Sequence, residues 1–261
     1  MKSIEICSIF SLFLFLLVSN TNQDDSFDFQ NELLHRKCEM DKNCQLPACN
    51  CDSSDMPVEV FHNYKVFEMP QLVVLTIDDD NLDLKSYQIY KKLLENFRNP
   101  DKSPIRATFF ISDTENKTSF CLVRNLHDKK HEIAISTVNY TCPNKRCSPD
   151  KNFQAWDYLT WSEQILQMRQ RLHRYAGIAK SEIVGFRAPI LEPASDMHFK
   201  IISSNKFVYD SSLVMNADDL LWPFTLDFTI NSPLSNNGPI NLYPGLWELP
   251  IPTYLDLNNS K

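Results

Sequence analysis

Three consecutive carboxylates, Asp78, Asp79 and Asp80, follow the apolar run Leu72-Val73-Val74-Leu75-Thr76-Ile77. Such a run predicts a buried strand. In strand-helix proteins the C-terminal end of a strand is where reacting groups are usually placed. Neighbouring carboxylates there can act as a general base and as an oxygen ligand for a divalent cation. A catalytic zinc site draws on imidazoles as well. The next stretch expected to reach the same place, His131 to Tyr140, brings Ser136 and Tyr140 instead. The carboxylate half of a metal site is present and the histidine half is not.

The elements that must position these groups alternate in type from Leu72 onward. Leu84, Tyr87, Tyr90, Leu94 and Phe97 recur at helical spacing and predict a helix over 84–97. Ile105 to Ile111 predicts a buried strand, Ser119 to Asp128 a short helix and Glu132 to Ile135 a strand. Tyr158 to Tyr175 is the longest expected helix, with Trp161, Ile165, Met168 and Leu172 along one face. A strand over 183–186 leads into Arg187-Ala188-Pro189, followed by a helix over 198–204 and a strand over 207–209. Alternation of this kind predicts parallel strands with crossover helices, as an open α/β sheet or a barrel.

The chain has 261 residues, enough for one large domain or one domain with a small module, and 43% hydrophobic content supplies a core. A net charge of -7 argues against a nucleic-acid partner, which requires clustered Lys and Arg. Lys2 precedes an apolar run from Ile9 to Val18, too short to span a bilayer but of signal-peptide length. The expectation is a signal peptide over 1–22, then a polar arm, cysteine-rich segment and connector over 23–70, then the main domain over 71–261. A signal anchor is the competing reading of the N-terminus. With the signal removed no span remains, and a secreted, extracellular protein is expected.

Cysteine usage agrees with secretion. Cys38, Cys44, Cys49 and Cys51 cluster, and Cys121, Cys142 and Cys147 follow, so disulfides are the default in an oxidising compartment. An odd number cannot all pair, and a structural zinc on the first four competes with oxidation. Sequons at Asn116, Asn139 and Asn258 mark candidate glycosylation sites.

Seven short motifs in order resemble the polysaccharide deacetylases with a NodB-homology domain, and among them the animal chitin deacetylases. They are Thr76-Ile77-Asp78-Asp79, Ala107-Thr108-Phe109-Phe110-Ile111, His131-Glu132-Ile133-Ala134, Gly185-Phe186-Arg187-Ala188-Pro189, Tyr209-Asp210-Ser211-Ser212, Leu221-Trp222-Pro223 and Leu246-Trp247-Glu248-Leu249-Pro250. Cys44 to Cys51 is similar to the cysteine-rich lead-in of the animal members. The resemblance implies a distorted (β/α) barrel that deacetylates N-acetylglucosamine polymers, with chitin or a related polysaccharide as partner and a divalent metal, zinc or another, as cofactor. It implies Asp78 as general base, Arg187 as the residue that holds it, and Asp79 as a metal ligand. The family's two metal-binding histidines fall at Ser136 and Tyr140. The family's last leucine and histidine element has no match before Lys261, so a C-terminally incomplete barrel is expected.

The resulting expectation is a chitin-deacetylase-like pseudoenzyme whose Asp79 is vestigial and which holds no metal. An active hydrolase with a rearranged metal shell and a non-catalytic glycan-binding or matrix protein are the alternatives. Glu132 and His131 are not expected to replace the missing imidazoles, because strand rise and parity carry them away from the site. Simpler readings stand beside these. The Asp triplet can be a turn with Asp80 or Asn81 capping the next helix, and Arg187 can pair with Asp78 for stability alone. Trp222 and Trp247 read as core residues rather than sugar platforms, and His127, His173 and His198 as ordinary residues.

Overall fold

The structure is a computed structural model and describes residues 37–53, 73–152, 154–216, 220–234 and 238–253. The expected signal segment over 1–22, the connector beyond residue 53 and the Asn258 sequon lie outside the described residues. Strands and helices alternate as β1 (Thr76–Asp79), α1 (Leu84–Glu95), β2 (Thr108–Ile111), α2 (Phe120–Asp128), β3 (Glu132–Ile135), α3 (Tyr158–Ala176), β4 (Gly185–Phe186), α4 (Asp196–Ser204) and β5 (Tyr209–Asp210). Short strands follow: β6 (Val214–Asn216), β7 (Phe224–Leu226), β8 (Tyr243–Glu248) and β9 (Ile251–Thr253).

The main sheet has seven strands in the order β1-β2-β3-β4-β5-β8-β7. Its pairs are parallel except β7 with β8, and β6 pairs with β9 apart from it. This is the expected α/β architecture of parallel strands joined by helices. Among the described residues β1 and β7 are the outer strands and do not pair with each other. The first strand starts later than its apolar run suggested. Val73 and Val74 are each 70% exposed, and the register with β2 begins at Thr76 and Thr108. Among the described residues Val73 and Val74 have no strand partner, and Asp78 and Asp79 lie within the strand rather than after it.

Strand alternation divides the sheet into two faces. Phe109, Ile111, Ile133, Ile135 and Phe186 pack against Val123, Leu126, Trp161, Ile165, Met168, Leu172 and Phe199 in the helical layer. The expected α3 stripe is buried in full. On the other face Phe110, Ala134 and Tyr209 form a smaller cluster with Trp247 and Leu249 against it. Asp157 caps α3, its carboxylate accepting from Thr160 N–H, and Gly177 ends it at φ 67°. The cap of α1 is Asp83, in a capping box with Ser86, and not Asp80 or Asn81 as expected.

Disulfides join Cys38 to Cys51, Cys44 to Cys49 and Cys142 to Cys147. The thiols that a zinc site would need in the first cluster are therefore consumed. Cys121, a disulfide candidate by sequence, is unpaired and exposed on α2, where no second free thiol stands among the described residues. The cysteine-rich segment docks on the sheet. Thr225 N–H donates to Asn50 O at 2.9 Å, Asn50 Nδ2 to Pro223 O at 2.7 Å, and Trp222 N–H to Ser53 O at 3.1 Å. The outer strand β7 is thereby covered along its open side.

Gly185 is required by close approach, because a Cβ there would stand 2.1 Å from the Tyr209 ring. Gly185→Ala is expected to destabilise the fold by about 2–3 kcal/mol through overpacking. Chemical denaturation would measure it, and an unchanged midpoint would show that Tyr209 can move aside.

Candidate functional site

The site is organised by Arg187, which follows β4 and is buried. Its Nε donates to Ser211 O at 2.9 Å and its Nη2 to Ser211 Oγ at 2.9 Å. Its Nη1 reaches Thr76 Oγ1 at 3.1 Å and Asp78 Oδ2 at 3.2 Å. The guanidinium carbon lies 3.9 Å from the Phe110 ring centroid, a cation–π stack on the inner face of β2. The expected Asp78–Arg187 partnership is present. Asp78 keeps 32% of its side chain exposed while Arg187 keeps 3%, so the pair is buried on one side only. Among the described residues β1 is an outer strand, and no further strand covers Asp78.

Tyr140 stands on the same side. Burial, and then the Asp78 carboxylate, push its phenol above the usual range, with Asp80 adding to the rise and Arg187 opposing it. Its backbone N–H donates to Thr114 Oγ1 at 3.0 Å. The turn Pro189–Leu191 borders it, with Ile190 at φ 57° and Leu191 at φ 53°. Left-handed backbone at a β-branched residue is strained, and such strain is held only by its surroundings. Ser136 is completely buried, and its Oγ finds no hydrogen-bond partner among the described residues.

Asp79 is turned away from this group. By strand parity it lies on the helical face, opposite to Asp78. Asn81 N–H donates to its Oδ1 at 3.0 Å, while Oδ2 has no hydrogen-bond partner among the described residues. Burial raises its pKa above the ordinary carboxylate range, opposed by Tyr90, Asn81 and Ser86 around it. The Tyr90 hydroxyl beside it is likewise pushed up, first by its own burial and then by Asp79. The donor set therefore does not fit a catalytic zinc. It offers carboxylates and neutral hydroxyls where such a site uses three ligands rich in imidazole. Asp79 Oδ2 and Ser136 Oγ are buried and without a hydrogen-bond partner among the described residues.

Other residues fall as follows. Glu132 is engaged away from the site, accepting from Thr108 Oγ1 at 2.7 Å and from the Tyr209 hydroxyl at 2.9 Å. His131 is spent on the Ala107 N–H. Asn116 is exposed and accepts from Arg171 through its Oδ1. Asn139, a candidate glycosylation site, is half-buried rather than exposed, and its N–H donates to Gln164 Oε1 at 2.8 Å. Trp222 and Trp247 are half-buried rather than core. Sequence reasoning missed Ser211, Thr76 and Phe110 as the cradle of Arg187. Each sits inside a quoted motif, but only the parity of three strands brings them to one guanidinium.

No family model matches the chain. Among curated proteins it is 27% identical over 219 residues to chitin deacetylase 8 of Bombyx mori, covering 83% of this chain and 54% of that protein. It is 27% identical over 217 residues to chitin deacetylase 1 of Bombyx mori, covering 79% of this chain and 37% of that protein. The chain thus spans about half the length of the first and little more than a third of the second. Among solved structures, a Mycobacterium smegmatis protein assigned to the polysaccharide deacetylases overlaps with 19% identity and a TM-score of 0.44, over 68% of this chain and 57% of that one. The Bc1960 peptidoglycan N-acetylglucosamine deacetylase overlaps with 17% identity and a TM-score of 0.39, over 69% of this chain and 72% of that one.

Arg187→Ala removes a buried cation from four oxygen partners and a ring, and is expected to cost about 3 kcal/mol. Asp78→Asn is expected to cost less, because an amide oxygen still accepts from the guanidinium and the Ser211 and Thr76 contacts remain. Unfolding midpoints of the two variants measure the contrast. Equal costs would show that Asp78, and not the Ser211 contacts, anchors Arg187.

Proposed function

We propose that this chain, a chitin deacetylase-like protein of the polysaccharide deacetylase family, is a secreted protein that binds an N-acetylglucosamine polymer without hydrolysing it. The observation that carries the reading is the pair Ser136 and Tyr140 at the positions where the resemblance requires imidazoles, together with Asp79 turned towards Tyr90. Amide hydrolysis by a metal-activated water needs an ion to acidify that water and polarise the carbonyl. This donor set would not retain one. What remains is a carboxylate held by Arg187, a second carboxylate at Asp80 and a phenol at Tyr140. These groups can hydrogen-bond sugar hydroxyls and an acetamido N–H. The three disulfides and the N-terminal apolar run support secretion, since such bonds persist in oxidising compartments.

Zinc titration by calorimetry tests the metal side. No submicromolar binding is expected from the unmodified protein, whereas S136H with Y140H is expected to raise metal affinity by orders of magnitude. Submicromolar zinc binding by the unmodified protein, with acetate release from chitin oligomers, would overturn the reading. Retention on chitin beads, lost on adding soluble oligomer, tests the glycan side.

Glycosylation provides a separate check. Asn116 is exposed at a turn, and Asn139 lies beside Tyr140, where a glycan would crowd a working groove. Occupancy of both is expected in glycopeptide mass spectra of the secreted protein. Asn139 consistently bare beside an occupied Asn116 would point to a groove kept open for substrate.

A further inference from the structure

Behind Arg187, on the helical face, lies a sealed acidic cluster that the site does not use. Asp210 of β5 and Glu248 of β8 are register partners, and both are completely buried. Asp210 Oδ2 accepts from Ser212 N–H at 2.8 Å and its Oδ1 from the Ser212 hydroxyl at 3.0 Å. Glu248 Oε1 accepts from Leu213 N–H at 3.1 Å, while its Oε2 meets no donor among the described residues. His198 of α4, also completely buried, faces the pair with Nε2 at 3.4 Å from Asp210 Oδ1. Its Nδ1 accepts from Ala194 N–H at 3.1 Å, which leaves the ring proton on Nε2.

The charged and titratable groups facing the carboxylates are therefore His198 from α4 and Arg187 from the segment after β4. On the other flank β7 presents Phe224 as the partner of Glu248. Arg187 directs its donors to Ser211, Thr76 and Asp78 and spends none on the pair. Two buried carboxylates with no cation bonded between them cannot both hold a charge at reasonable cost. An orphaned acceptor oxygen is satisfied if it carries the proton itself.

We propose that Asp210 and Glu248 hold one proton between them, carried on Glu248 Oε2, and that this proton clamps β5 to β8 as a positioning device for Arg187. Parity gives the clamp its leverage. Tyr209 and Ser211 face inward and Ser211 holds the guanidinium, while Asp210 and Ser212 face outward into the cluster. Ser212 Oγ also accepts from Ala188 N–H at 2.8 Å, fixing the residue next to Arg187. Ser211 Oγ in turn donates to Leu249 O at 2.8 Å, beyond the clamped Glu248. The acids touch no ligand; they hold the strand end that holds Arg187. Burial, and then the Asp210 carboxylate, push the Glu248 carboxyl well above its ordinary range, in keeping with a retained proton.

The sign of the pH dependence follows. A carboxyl raised on folding contributes fully below its unfolded value, and that contribution falls as pH rises towards the folded value. Urea unfolding of the full chain between about pH 5 and pH 9 would compare the unmodified protein with Glu248→Gln and Glu248→Leu. Relative to Glu248→Gln, whose amide N–H can stand in for the proton, the unmodified protein is expected to lose about tenfold in its folding constant per pH unit through the titration. Its infrared spectrum at neutral pH is expected to show a buried protonated-carboxyl band that is missing from Glu248→Gln. Glu248→Leu lacks the donor and is expected to be less stable than Glu248→Gln at every pH, or not to fold. Parallel pH profiles of the unmodified protein and Glu248→Gln, or absence of the band, would overturn the proposal.

Discussion

A guanidinium cannot be buried without partners for its donors, and the fold around Arg187 is arranged to supply them. The side chain comes off β4, stacks on Phe110 of β2, reaches Thr76 and Asp78 of β1, and is held from behind by Ser211 after β5. Contacts from so many strands fix the relative position of strand ends that share no direct pairing. A stranded charge in that position would cost several kcal/mol, by the general cost of breaking a buried pair. The rest of the inner face conforms to this constraint. Gly185 yields space to Tyr209, and Glu132 binds Tyr209 and Thr108 at the other end of the same strands.

Because the cradle is made largely of Ser211 and Phe110, it survives changes at the open end of the site. Ser136 and Tyr140 can stand where imidazoles would be needed without loosening Arg187, since neither bonds to it. That separation leaves the strand-end residues free to vary while the position of Arg187 is kept. The strained turn at Ile190 and Leu191, the half-buried Tyr140 and the exposed Asp78 and Asp80 remain a polar surface at the strand ends.

The two faces of β5 divide the work. Its inward residues serve the site and its outward residues enter a sealed network with Glu248 and His198. At the far side of the sheet the cysteine-rich segment plays a similar supporting part. It is too short for a core of its own, and it uses Asn50 and Ser53 to complete the outer strand β7.

The sequence by itself determined the alternating elements up to β5, because apolar periodicity over α1, α3 and the Thr108–Ile111 strand is a local signal. It also determined the motif order and the presence of Ser136 and Tyr140, which are facts of residue identity. The strands β6, β7 and β9 were not legible, since stretches of three residues such as Phe224–Leu226 carry no period to read. Where β1 begins was decided by the availability of a partner strand, not by the apolar run that precedes it. Only the tertiary structure could turn Asp79 from Asp78, half-bury Asn139 and leave Cys121 unpaired. Likewise, nothing local in Asp210 or Glu248 announces a buried pair. Their meeting depends on β5 and β8 lying side by side across some forty residues of chain, and register between strands so distant is set by packing alone.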